Sequence, residues 1–219
     1  VTHAPTFTFS NNVINNCELS GNANYCGNIN MNNEIATFEL TNITFYNNTS
    51  NSAFGGGSSI QISGTNEIIF NECHFNNNHV FRDSTYNPSA ASGPNLNGFG
   101  GGLQIGNCGM MSIGIIIRGC IFENNEAELN GGGLSIEKYV SNNDAEGFLI
   151  ENCEFKSNVA GQKGGSIYVG SETPCGTSIT STNENGAIIR NCTFEGNTGN
   201  EAHGIFIQSV STTSIQILS

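Results

Sequence analysis

Residues 148–169 read FLIENCEFKSNVAGQKGGSIYV, and the order of types in this stretch decides the fold. Phe148 and Ile150 alternate, Cys153 and Phe155 alternate again, and Ile167 and Val169 do so once more after a glycine pair. Alternation over short runs marks strands with one buried face, and the Asn, Ser and Gly between the runs mark corners. The same order recurs on both sides of this stretch. Cys73-His74-Phe75 is followed by Asn78, Cys120-Ile121-Phe122 by Asn125, and Cys192-Thr193-Phe194 by Asn197. Two weaker copies precede them, Ile43-Thr44-Phe45 with Asn48 and Cys17-Glu18-Leu19 with Asn22. From Phe45 onward the phenylalanines are 30, 47, 33 and 39 residues apart, so a fixed motif is joined by loops of varying length.

Each repeat resolves into three strands. The first places apolar residues five and three positions before the Cys slot: Ile68 and Phe70, Ile115 and Ile117, Phe148 and Ile150, Ala187 and Ile189. The residue just before the slot is Asn42, Gly119, Asn152 or Asn191, types that tolerate a left-handed backbone; Glu72 departs from the rule. The second strand turns its Cys and Phe inward, and the Asn of FxxN is expected to bond its own turn. The third follows the glycines with Ile60 and Ile62, Leu103 and Ile105, Leu134 and Ile136, Ile167 and Val169, or Ile205 and Ile207. Such a repeat buries nothing alone but makes a continuous core when stacked.

The expected fold is therefore all-β, a right-handed parallel β-helix (solenoid) of five to six three-stranded rungs. At about 4.8 Å per rung the stack is roughly 25–30 Å tall. It forms a single domain over 1–219, with rungs near 1–37, 38–67, 68–112, 113–145, 146–184 and 185–219 and insertions at 79–99 and 170–186. Stacking also predicts that Arg118, Glu151 and Arg190, each two places before the Cys slot, form an outward column of alternating charge. Ile215 and Ile217 match the first strand of a further rung. The chain is thus expected to be a segment of a longer protein, or to stack on another molecule.

Composition agrees. Among 219 residues are 28 glycines and 35 asparagines, which serve helices poorly and turns well. A net charge of −12 makes nucleic acid and anionic membrane surfaces poor partners, and no apolar run is long enough to cross a membrane as a helix. With Asp83 and Asp144 as the only aspartates, the Asp-rich repeats that bind calcium are excluded. Eight cysteines fit an oxidising compartment and an extracellular or cell-surface location.

The column Cys73, Cys120, Cys153 and Cys192 reads as a row of small buried side chains rather than a metal or redox site, since no ligand types stand beside it. Cys108 with Cys175, and Cys17 with Cys26, are candidate disulfides whose connectivity spacing does not settle. The 79–99 insertion, with His79, Arg82, Asp83, Tyr86 and Phe99, is the candidate binding loop. Asn42, Asn47, Asn48 and Asn191 stand in N-glycosylation sequons, relevant to a secreted eukaryotic glycoprotein. Parallel β-helices often carry polysaccharide lyases and hydrolases, which need converging carboxylates. The glutamates here are spread along outer faces, and His203, in a glycine slot, lacks acidic companions. No catalytic, cofactor or metal residue is assigned.

The FxxN motifs at Phe45, Phe75, Phe122, Phe155 and Phe194 pair with Gly100-Gly101-Gly102-Leu103, Gly131-Gly132-Gly133-Leu134 and Gly164-Gly165-Ser166-Ile167. With Ala202-His203-Gly204-Ile205 as the last copy, residues 38–217 resemble the polymorphic outer-membrane protein repeats of chlamydiae, recognised by FxxN and GGA[ILV]. The resemblance implies a surface-exposed or secreted β-helical adhesin or scaffold and names no catalytic residue. The expected function is a non-catalytic extracellular structural or adhesive rod. Its expected partners are further copies or rungs end to end, or a host-cell or matrix protein or glycan. A carbohydrate-active enzyme and a binding module acting through the 79–99 loop are the alternatives.

Overall fold

The computed structural model describes residues 6–10, 13–15, 18–19, 35–50, 65–81, 98–106, 114–137, 148–170, 187–208 and 215–218. Their strands pair in parallel throughout, in four sheets that the chain visits in a fixed cycle. Sheet I holds seven strands: Thr6–Ser10, Ile35–Thr41, Thr65–Asn71, Gly114–Arg118, Phe148–Glu151, Ala187–Arg190 and Ile215–Leu218. Sheet II holds six: Val13–Asn15, Thr44–Tyr46, His74–Asn76, Ile121–Glu123, Glu154–Lys156 and Thr193–Glu195. Sheet III is made of six two-residue strands: Glu18–Leu19, Thr49–Ser50, His79–Val80, Glu126–Ala127, Val159–Ala160 and Thr198–Gly199. Sheet IV stacks Leu103–Gly106, Leu134–Glu137, Ile167–Gly170 and Ile205–Ile207. One pass through the sheets is a rung, and each strand lies on its equivalent in the rung before. This is a parallel β-helix.

The three strands expected per rung are present, and sheet III adds a fourth, two residues long, directly after FxxN. Ile215–Leu218 begins a seventh rung by pairing with Ala187–Arg190. In the first rung the copy expected at Cys17-Glu18-Leu19 is out of register. Ile14 stands opposite Phe45, while Leu19 stands opposite Ser50. Apolar spacing alone could not tell these adjacent short strands apart. The third strand expected at Ile60 and Ile62 lies outside the described residues.

The core is a set of columns. Leu40, Phe70, Ile117, Ile150 and Ile189 from sheet I face Leu103, Leu134 and Ile167 from sheet IV, all buried. Between them Phe45, Phe75, Phe122, Phe155 and Phe194 form one stack, with centroids 4.9, 4.7, 4.7 and 5.2 Å apart and planes within 8° of parallel. Rung-on-rung register sets this spacing, and the aromatic column is a large apolar contribution to the interior.

Two corners per rung use the left-handed backbone. Before the Cys slot stand Asn42, Glu72, Gly119, Asn152 and Asn191 at φ 53, 55, 61, 54 and 51°. Glu72 therefore adopts the turn although its type resists it. Two residues after the Phe come Asn47, Asn77, Asn124, Ser157 and Gly196 at φ 54, 56, 55, 52 and 63°, a second corner that sequence reading did not separate from the first.

Beside that second corner runs a buried asparagine ladder. Nδ2 of Asn48, Asn78, Asn125 and Asn158 donates to Oδ1 of the next asparagine at 3.0, 3.0, 3.0 and 2.9 Å, ending at Asn197. The backbone N–H of each donates to the same oxygen, at 2.9–3.1 Å. The other Nδ2 hydrogen of Asn78, Asn125, Asn158 and Asn197 reaches the Phe carbonyl of the rung below, at 2.8–3.0 Å. The Asn of FxxN thus bonds its neighbours rather than its own turn, because stacking brings a matching amide within reach on either side.

The glycine pairs have a steric cause. A Cβ on Gly101, Gly132 or Gly165 would come within 2.4 Å of a carbonyl oxygen of the rung above, that of Gly132, Gly165 or His203 respectively. Only glycine lets the sheet III and sheet IV backbones approach so closely.

Candidate functional site

The cysteine column is part of the core. Cys73, Cys120, Cys153 and Cys192 are free thiols, and each sulfur lies near two carbonyls at the corner. Those are the carbonyl two residues back, at 3.2–3.6 Å, and one from the rung below, at 3.3–3.8 Å. A thiol is small enough for the column, and as a weak donor it adds to corner carbonyls that already accept a backbone N–H from the rung below. Burial pushes the Cys120 thiol well above its ordinary value, which keeps it protonated and unreactive. Among the described residues no three His, Cys, Asp or Glu side chains gather as a metal ion would require. The candidate disulfide residues Cys17, Cys26, Cys108 and Cys175 lie outside the described residues.

The expected charge column forms, in register Arg118–Glu151–Arg190. Its exposure differs from expectation: both arginines are half exposed, but the Glu151 side chain is only 8% exposed. Arg118 Nε bonds one Glu151 oxygen, while Arg190 Nε and Nη2 both reach the other, at 2.8 and 2.5 Å. The two guanidinium groups cover the carboxylate. The hydrogen bond from Arg118, with support from Arg190 and against the cost of burial, holds Glu151 below the usual carboxylate range.

A second column of opposite phase was missed. Glu123, Lys156 and Glu195 stand in register on sheet II, so every one of these rungs carries one charge of each sign. Lys156 Nζ also meets Glu154 Oε2 at 2.5 Å, and that contact raises its ordinary value. The signal was available in sequence, three places after each Cys slot.

At the root of the 79–99 insertion, His79 packs against Phe81 with centroids 3.7 Å apart and planes tilted by 39°, and its Nε2 is 3.7 Å from Glu126 Oε1. Burial lowers the His79 pKa against the pull of Glu126 and Glu128. His74 Nε2 lies 3.6 Å from Glu123 Oε2, so two His–Glu contacts cross the same junction between rungs. Phe99 is buried with Leu129 and Tyr168 outside sheet IV, so it packs rather than projects. Arg82, Asp83 and Tyr86 lie outside the described residues. Of the two members of the expected binding set among the described residues, His79 lies at the surface and Phe99 does not, and Phe81 is a companion of His79 that sequence reading did not name.

The sequons are sorted by burial. Asn42, Asn47 and Asn191 are exposed at corners, whereas Asn48 is buried and its amide is committed to the ladder, which leaves a glycan no room there.

The most distinctive surface is the last full rung. Phe155 is fully buried, but Phe194, next in the same stack, is 37% exposed. Cys192, Asn197, Ile205 and Ile207 are each only partly covered. Above sheet I, Ile217 and Leu218 are 58% and 48% exposed. His203 occupies the glycine column of this rung, is exposed, and accepts the Gly199 N–H on Nδ1 at 3.2 Å.

These features define a laddered parallel β-helix. The chain matches no protein-family model, and comparison with curated proteins and with solved structures returns no match.

Proposed function

We propose that the chain is a non-catalytic structural or adhesive rod segment that works outside the cell or at its surface. The observation that carries this reading is the continuity of the ladders through the described rungs. Four kinds of side chain, Phe, Asn, Cys and alternating charge, repeat rung after rung as far as Phe194, Asn197, Cys192 and Glu195. Four carboxylates lie against basic or histidine side chains: Glu151 beside two arginines, Glu154 beside Lys156, and Glu123 and Glu126 at 3.6 and 3.7 Å from His74 and His79. Glutamates so committed serve register, and this supports a scaffold over a carbohydrate-active enzyme.

The address is tested by labelling intact source cells with an antibody against the folded chain. Staining without permeabilisation is expected, and staining seen only after permeabilisation overturns the extracellular reading. The scaffold reading is tested on the purified chain with a panel of polysaccharides. No change in chain length or reducing ends is expected, and cleavage that vanishes when Glu123 or Glu126 is replaced by Gln would establish an enzyme instead.

A further inference from the structure

We infer that the outer face of sheet I is an interface between two copies of this chain, packed face to face with their stacks running in opposite directions. The inference rests on the register of sheet I and holds whatever the rod is used for.

Alternation along the sheet I strands turns Ile68 and Phe70, Ile115 and Ile117, and Phe148 and Ile150 inward, where all are buried. The residues between them face out. In register these are Ile69, Ile116, Leu149 and Ile188, four aliphatic side chains on successive rungs, each partly exposed. Glu39 precedes them in the column and Gln216 follows, so polar residues bound the stripe. The corresponding outward column of sheet II is mixed, with His74, Ile121, Glu154 and Thr193 in turn. Four aliphatics in a row are therefore not a habit of the fold. Beside the stripe, two residues further along each strand, runs the column Arg118–Glu151–Arg190.

The period of the stripe selects the partner. Its side chains recur once per rung, about every 4.8 Å. A helix laid along it repeats about every 5.4 Å and a strand about every 6.6 Å, so both fall out of step across four rungs. A second copy of the same stack keeps step throughout, and sheets packed face to face interdigitate their side chains.

Charge selects the orientation. With the stacks antiparallel, a two-fold axis lies along the strands, midway between Gly114–Arg118 and Phe148–Glu151. It sets Ile116 opposite the second copy's Leu149 and Ile69 opposite its Ile188, so no aliphatic is left over. The same axis sets Arg118 opposite the second copy's Glu151, twice, and Glu39 opposite its Gln216. Moved half a rung one way, the axis opposes Arg118 to its own equivalent and Glu39 to Ile188. Moved the other way, it opposes Glu151 to its own equivalent and Ile69 to Gln216. Stacks running in the same direction set Arg118 opposite Gly114 and place no unlike charges directly opposite. One arrangement satisfies both columns at once. The face comprises four strands of four to seven residues, small for a specific interface, so association in the micromolar range is expected.

The test is sedimentation velocity of the chain as it stands, across the micromolar range and under reducing conditions. A reversible monomer–dimer equilibrium is expected, weakened severalfold by high salt. Ile116→Lys and Leu149→Glu should each weaken it about tenfold or more, because each seats a charge against an aliphatic side chain. Urea midpoints close to that of the natural chain should show that both variants are folded. Mixing the two variants should restore the dimer, since the new ammonium then faces the new carboxylate while Leu149 faces Ile116. Ile116→Thr keeps a β-branched side chain, should weaken the dimer severalfold, and serves where a charged variant does not fold. A chain that stays monomeric across the range overturns the inference. So does an association that none of these variants weakens, or one that two folded charged variants weaken and their mixture does not restore.

Discussion

Asparagine does three different jobs in this protein, and only one was legible in sequence. Before the Cys slot, Asn42, Asn152 and Asn191 accept a left-handed corner, which their type announces. At the second corner, Asn47, Asn77 and Asn124 do the same, but there they stand next to the ladder asparagines and the two roles look alike in a list of residues. The ladder itself was invisible because its partner amide sits on another rung. These roles separate under mutation. Asn125 donates to Asn158 and to the Phe75 carbonyl and accepts twice from Asn78. Asn125→Ala strands those groups in the core and is expected to cost about 3 kcal/mol, read as a lowered urea midpoint. Glu72 is the converse case. It holds φ 55° where its equivalent in the next rung is Gly119, so Glu72→Gly is expected to stabilise by about 1 kcal/mol in the same assay.

At the scale of elements, the charge columns report how rungs keep their order. Arg118, Glu151 and Arg190 alternate on sheet I while Glu123, Lys156 and Glu195 alternate in opposite phase on sheet II. A slip by one rung would set like charges against each other on both faces, so the columns oppose misregister more than they add stability. The sequence showed the first column but not that Arg118 and Arg190 would close over Glu151. Exposure depends on how two long side chains fold back, which spacing does not encode. The pH dependence has two windows with worked signs. His79 is held below its ordinary value, so the unfolded chain takes up its proton first, and stability falls as pH drops below about 6.5. Glu151 is also held low, so its contribution is present above the unfolded value of about 4.3 and is lost as pH falls through the folded value. Urea midpoints measured from pH 8 to 3 should show both declines. His79→Gln should flatten the upper window, and Glu151→Gln the lower one, with about 1–2 kcal/mol lost at neutral pH.

For the whole molecule, repetition made the fold readable. The columns of Phe, Cys and apolar pairs recur in one order, and only stacking explains that order with loops of unequal length. What remained hidden was what differs from rung to rung: the shifted register at Ile14, the side cluster around Phe99, and the bond that His203 accepts from Gly199. A stack of equivalent rungs should tolerate loss of a whole unit more readily than loss of part of one. Deleting 114–147 brings Phe155 over Phe75 and Asn158 over Asn78, and a cooperative unfolding transition is expected to survive at reduced stability. Deleting 120–124 instead removes only the sheet II strand of that rung and should abolish that transition. The central claim, that asparagines on successive rungs share one buried ladder, is tested most directly by NMR of the side-chain amides with hydrogen exchange. The account predicts cross-peaks linking the amide groups of Asn78, Asn125 and Asn158 in series, and backbone N–H groups at all three that exchange only through global unfolding. Amides that show no mutual contact, or that exchange as fast as those of an unfolded chain, would contradict it.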